Sequence, residues 1–215
     1  MTRQTPAIER AGSMGSRDEG ISSSAAMAAN AWIVLLRGVN LGPNKRIAMA
    51  DFRRELEALG YRNVRTHIVS GNAIVAGGRG TGAARERAIA KRLREELDLD
   101  VTVMVRTARE LEAIVASNPF ADSGTEPGRL HVLFLDKQPA AAAVKSLNPK
   151  AFAPDRFAFG DRVIYLQLPN GVAGSKLPNW EKVLGVRATM RNWNVTKKLR
   201  ELAEEITKGA SRAGR

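Results

Sequence analysis

The sequence predicts an α+β fold of two successive units, and three observations predict it. Apolar runs short enough for strands alternate with segments of helical periodicity; the order β-α-β-β-α-β can be read once in full; and most of that order can be read again further on. At 215 residues and 44% hydrophobic content, the chain lies near the border between one domain and two, with apolar surface enough for a core.

Residues 1–30 are rich in Ser, Gly, Ala and charge without either periodicity, which predicts a disordered leader, with Met27 as a second candidate start. From Ala31 the pattern becomes regular. Trp32-Ile33-Val34-Leu35-Leu36 is a continuous apolar run suited to a strand buried on both faces. Met49, Phe52, Leu56 and Leu59 recur at helical spacing, and Gly60 closes that helix. Strands at 64–69 and 73–76 are joined through Ser70-Gly71-Asn72, a turn whose Gly and Asn tolerate positive φ. A glycine-rich loop (Gly77, Gly78, Gly80, Gly82) precedes a helix marked by Ile89, Leu93 and Leu97, and a strand at 101–106 completes the ferredoxin-like βαββαβ unit.

Thr107 then caps a helix carrying Leu111, Ile114 and Val115, ending before Asn118-Pro119-Phe120. The second pass reads strand 130–135, helix 139–147, hairpin 156–159 with 163–168 turned at Gly160-Asp161, a short helix around 180–184 and a terminal helix from about 194 to 208. It lacks a last strand, so the prediction is a second, incomplete ferredoxin-like unit followed by a C-terminal helix. An internal repeat fits this order, although no matching residues stand out between the halves. The expected divisions are a leader at 1–30, a first unit at 31–107, a second at 108–209 and a tail at 210–215.

The charge is uneven. There are 34 Lys plus Arg against 22 Asp plus Glu, a net +12, and in residues 1–30 three arginines balance three acids, so the whole excess belongs to the rest. Such a field attracts polyanions such as RNA, DNA, nucleotides or another phosphorylated ligand, or an acidic membrane; an arginine-rich solvated surface explains it equally. With no cysteine and only His67 and His131, disulfides, thiolate chemistry and zinc-type clusters are excluded, no cofactor is expected, and a hydrolytic metal site would have to be built from carboxylates. No run approaches the roughly 18 apolar residues of a membrane span. The apolar stretch 25–36 is short and interrupted by Asn30, so the expected setting is the cytoplasm, without a membrane partner.

Three stretches hold the candidate ligand-binding residues. The first runs from Arg37 through Gly38, Asn40, Gly42 and Lys45 to Arg46: it leaves a buried strand, bares backbone N–H groups at its glycines and brings three cations, the composition of an anion cradle. In a ferredoxin-like sheet the first and third strands are antiparallel neighbours, so the turn Ser70, Gly71 and Asn72 should lie beside this loop. The second stretch is Gly174-Ser175-Lys176 in a glycine-rich loop before a helix. It is not a Walker A loop, and a cap by Ser175 explains it as well as anion binding does. The third is Arg191-Asn192-Trp193, where Trp193 either stacks a base or anchors the last helix in the core, and Asn194 is a capping candidate. The carboxylates form no paired spacing, and the two histidines read as structural.

The strings Leu36-Arg37-Gly38-Val39-Asn40-Leu41-Gly42, Val69-Ser70-Gly71-Asn72, Asn118-Pro119-Phe120, Leu168-Pro169-Asn170-Gly171 with Gly174-Ser175-Lys176-Leu177, and the segment 189–196 come in an order that resembles the bacterial domain-of-unknown-function family 1697 (DUF1697), over about 32–203. Leu41, Pro43 and Met190 depart from its usual residues. The resemblance implies an α+β fold of ferredoxin-like units and brings no activity. Two functions compete: a module binding a nucleotide or RNA through one basic cleft, and an enzyme acting on a small phosphorylated or carboxylated metabolite without a transition metal. No general base is identifiable for the second.

Overall fold

A computed structural model describes residues 31–213; the expected leader at 1–30 lies outside the described residues. Every strand read from the sequence is present, the second displaced from 64–69 to Tyr61–Thr66 because Ile68 and Val69 are exposed in the turn, and there is one more. In the first sheet β1 (Ala31–Leu36) lies between β3 (Asn72–Gly77) and β4 (Val103–Thr107), with β2 (Tyr61–Thr66) outside β3, all antiparallel in the order β2-β3-β1-β4. In the second, β5 (Leu130–Leu135) lies between β7 (Val163–Gln167) and β8 (Ala188–Asn192), with β6 (Arg156–Gly160) outermost, in the order β6-β7-β5-β8. The two orders correspond strand for strand. The helices are α1 (Met49–Ala58), α2 (Gly82–Leu97), α3 (Ala108–Ala116), α4 (Ala141–Lys145), α5 (Trp180–Leu184) and α6 (Trp193–Ala213).

The apolar run of β1 is explained by what each of its faces meets. Ile33 and Leu35 join a central core with Val132 and Phe134 of the second sheet, Leu111 and Ile114 of α3, and Leu199 and Ile206 of α6. Val34 and Leu36 face the other way, onto Phe52 and Leu56 of α1 and Ile89 and Leu93 of α2. A third cluster covers the outer face of the second sheet, where Leu135 and Ile164 meet Trp180 and Leu184 of α5. Both sheets are therefore covered on both faces, and α3 and α6 form the layer they share. Thr107 caps α3 as its sequence suggested: its hydroxyl accepts from the Glu110 N–H while the Glu110 carboxylate accepts from the Thr107 N–H, a capping box.

The second unit is not incomplete. The segment Ala188-Thr189-Met190-Arg191-Asn192 forms β8, paired with β5 from His131↔Asn192 to Leu135↔Ala188. Its polar residues concealed it. Ala188 and Met190 face the outer cluster of the second sheet, whereas Thr189 and Arg191 hydrogen-bond across to the first sheet, so the apolar alternation is only two residues long and its other face is polar although buried.

Matching backbone bonds reveal the correspondence between the halves. The N–H of Leu36, the last residue of β1, donates to Gly71 O at 2.8 Å, and that of Leu135, the last residue of β5, donates to Arg162 O at 2.9 Å. The next N–H groups, of Arg37 and Asp136, donate to Thr102 O and Arg187 O, each at 3.0 Å. Gly71 and Arg162 both take positive φ, +71° and +50°. Only the first of them needs to be glycine. A Cβ on Gly71 would lie 2.6 Å from Val39 Cγ2 and 2.7 Å from Leu36 Cβ, against the wall of β1. Gly71→Ala is therefore expected to cost about 2–4 kcal/mol, from left-handed strain plus overpacking, read as a lower urea midpoint at unchanged m-value.

Candidate anion-binding site

The exit of β1 is held open by a side chain rather than by glycine alone. Asn40, at φ +56°, donates through Nδ2 to Ile47 O (2.9 Å) and Val69 O (2.6 Å) and accepts the Ile47 N–H at Oδ1, pinning the 37–46 loop to the β2–β3 turn. The expected adjacency of this loop and turn is thus found. Asn72, fully buried, donates to His67 O and Ser70 Oγ and accepts from Arg191 Nε.

Arg191 is the centre of the seam between the sheets. Besides its Nε bond to Asn72, its guanidinium donates to Thr189 Oγ1 and Met190 O (2.8 Å each), Leu36 O (2.9 Å) and Ser70 O (3.1 Å). All five of its N–H groups are thereby used, and every acceptor is neutral. Burial lowers its pKa to about 10, so it remains a cation at neutral pH with no carboxylate among its partners. Its counterpart on β4, Arg106, donates to Val105 O, Leu135 O and Arg162 O. Each edge-strand arginine thus binds the last carbonyl of the first strand of the opposite unit, Leu36 or Leu135.

In front of Arg191 lies a pocket of about 360 Å³ lined by Leu36–Leu41, Ser70 and Ala188–Arg191 apart from Asn40. It brings together four of the residues expected from sequence, Arg37, Gly38, Ser70 and Arg191, drawn from three separate stretches. The Arg37 guanidinium reaches Glu181 of α5, Nε to Oε1 at 2.7 Å and Nη2 to Oε2 at 2.5 Å. Oε1 of Glu181 also accepts the Ala188 N–H at 2.7 Å. These bonds, that of Arg37 first, hold the Glu181 carboxyl below the usual carboxylate range despite its partial desolvation, so it is ionised at neutral pH. Among the described residues no acceptor meets the N–H of Gly38, which sits at φ +69° beside Arg37, or that of Val39.

The remaining expected residues lie elsewhere. Gly174, Ser175 and Lys176 do not line the pocket: the Ser175 hydroxyl (2.9 Å) and the Lys176 N–H (2.7 Å) both donate to Oδ2 of the buried Asp155, just before β6. Lys176 is thus not among the residues that line the pocket with Arg37. Lys45 contributes its carbonyl to Asn40 N, and Gly42 its carbonyl to Arg46 Nε, both outside the lining. Asn192 accepts the Val195 N–H and starts α6, while Trp193, 5% exposed, packs in the central core. Burial, with Lys198 near His67, lowers the pKa of both histidines. Sequence reading missed Glu181, though a signal existed: it is the sole carboxylate between Asp161 and Glu201, a stretch rich in Lys and Arg.

Fold and site together define a protein of two ferredoxin-like units fused through a shared helical layer, with a cationic pocket at one seam. The chain belongs to the family described as "Protein of unknown function (DUF1697)", whose model matches residues 29–165. A conserved bacterial protein, SP0830 from Streptococcus pneumoniae, has a similar solved structure, with a TM-score of 0.63 and 20% identity over 81% of this chain and 98% of that one. That similarity is one of fold. Among curated proteins there is no match. Among the described residues no helix is long and apolar enough to cross a membrane, and no group of three or more His, Asp or Glu is placed to hold a metal ion.

Proposed function

We propose that this protein is a binding module for a small phosphorylated ligand of nucleotide size, held in the pocket at the Arg191 seam. The observation that carries the reading is the uncompensated charge of Arg191 directly behind a pocket that also presents Arg37 and the N–H groups of Gly38 and Val39. A buried cation with neutral partners projects its field into the space before it, and unpaired backbone N–H groups beside a positive-φ glycine are donors free for an anion. The volume lies at the lower end of small-molecule pockets, which favours a mononucleotide over a polymer. Its lining holds no carboxylate or imidazole to act as a general base, so binding is favoured over catalysis.

Isothermal titration with AMP, inorganic phosphate and oligouridylate tests this. AMP is expected to bind. Arg37→Met should weaken it about 10- to 100-fold, the worth of a charge-assisted hydrogen bond. Oligouridylate binding with a steep log-salt slope and no AMP binding would replace the small ligand with RNA. No binding of any of the three would overturn the reading.

A further inference from the structure

We infer that the Glu181 carboxylate occupies the place of the ligand's own anionic group, so that a ligand with two oxygens on a terminal atom enters by displacing it. This deepens the pocket reading above and rests on it.

The cradle around Glu181 has the form of a ligand site. One carboxylate receives the Nε and Nη2 of Arg37 and the backbone N–H of Ala188, so its two oxygens face a fork and a main-chain donor at 2.5–2.7 Å. Both donor residues line the pocket, and Glu181 does not. A phosphate monoester or a carboxylate offers the same pair of oxygens to the same fork.

The bond is also exchangeable, unlike that of Arg191. The Arg37 and Glu181 side chains are 39% and 29% exposed, a setting in which ion pairs are weak and open to competition. α5 is anchored to the outer face of the second sheet by Trp180 and Leu184, with the Glu181 carboxylate adding one bond to the Ala188 N–H, and it ends at Gly185 with φ +62°. Glu181 can therefore leave the fork while its helix stays in place. The released Arg37, with the unpaired N–H groups of Gly38 and Val39 adjoining it, then faces the incoming anion. Because Glu181 belongs to the second unit and Arg37 to the first, occupancy of the pocket loosens a contact between the halves.

The test compares wild type with Glu181→Gln by titration with AMP and, in a second arm, malonate, which separates phosphate from carboxylate as the preferred anion. The glutamine keeps a carbonyl for the Ala188 N–H but forfeits the charge. If the closed latch is populated about nine-tenths of the time, removing it raises apparent affinity about tenfold. Arg37→Met combined with Glu181→Gln should lose that gain. In the unmutated protein, AMP should shift the Ala188 amide resonance as its acceptor leaves, a readout that does not depend on the variant folding. Glu181→Gln affinity equal to or below wild type, or an unmoved Ala188 amide on AMP saturation, overturns the latch while leaving the pocket intact. Absence of binding to both proteins overturns the pocket and the latch together.

Discussion

Arg191→Met is expected to destabilise the protein by about 3–5 kcal/mol, since hydrogen bonds to a charged group contribute about 1.5–3 kcal/mol each and a buried network left without its donor keeps the desolvation cost of every acceptor. Leu36 O, Ser70 O, Met190 O, Thr189 Oγ1 and Asn72 Oδ1 all lose a donor at once. Of these, Leu36 O keeps a second donor, the Thr189 hydroxyl at 3.3 Å. Return of a cation to water offsets part of the loss, which is why the figure is well below five separate bonds summed. Arg191→Lys should recover less than half, because an ammonium cannot present a planar five-donor fork to acceptors spread over two sheets.

Arg106→Met provides the internal comparison. Arg106 is 1% exposed, yet it makes fewer bonds, and its Nε has no partner. The reason lies in the repeat: with Gly71 matched to Arg162, the position matched to Asn72 is Val163, which offers no acceptor. Its loss should cost about 1–3 kcal/mol. Urea midpoints for the two variants decide the matter. If Arg106→Met proves as damaging as Arg191→Met, the two arginines act mainly as packing volume and the hydrogen-bond account of the seam fails.

These two arginines also show what was legible in the sequence. Strands and helices that bury apolar faces announced themselves by period, and the placement of β1 beside the Ser70–Asn72 turn followed from topology alone. β8 did not, because a strand whose buried inward side chains are Thr189 and Arg191 shows apolar residues at Ala188 and Met190 alone, too short a pattern to stand out. Yet the same residues hold the repeat in plain view. Arg106 precedes the cap Thr107, and Arg191 precedes the cap Asn192, each at the junction of an edge strand and a central helix. The site was legible in part for a related reason. Arg37, Gly38 and Ser70 lie on the loops that topology brings together, whereas Ser175 and Lys176 share only a composition with them, and composition carries no distance. Asp155, twenty residues before Ser175, is the partner that fixed that loop elsewhere.

Trp193 bears on both fold and site, and its substitution is the second large effect expected. Trp193→Ala should cost about 3–5 kcal/mol, the usual penalty for emptying a large aromatic site in a packed core. The indole belongs to the cluster that joins Ile33 and Leu35 of the first sheet to Val132 and Phe134 of the second, so the cavity opens in the layer the two units share. Trp193→Phe keeps most of that volume and should cost about 1.5 kcal/mol or less. The phenylalanine variant also separates an anchor from a base-stacking surface, because it folds well enough to titrate. An anchor role requires AMP affinity in Trp193→Phe to match wild type while Trp193→Ala lowers the urea midpoint steeply. Weakened AMP binding by Trp193→Phe at near-native stability would instead place the indole against the ligand, and the pocket would then have to extend past Arg191 into the start of α6.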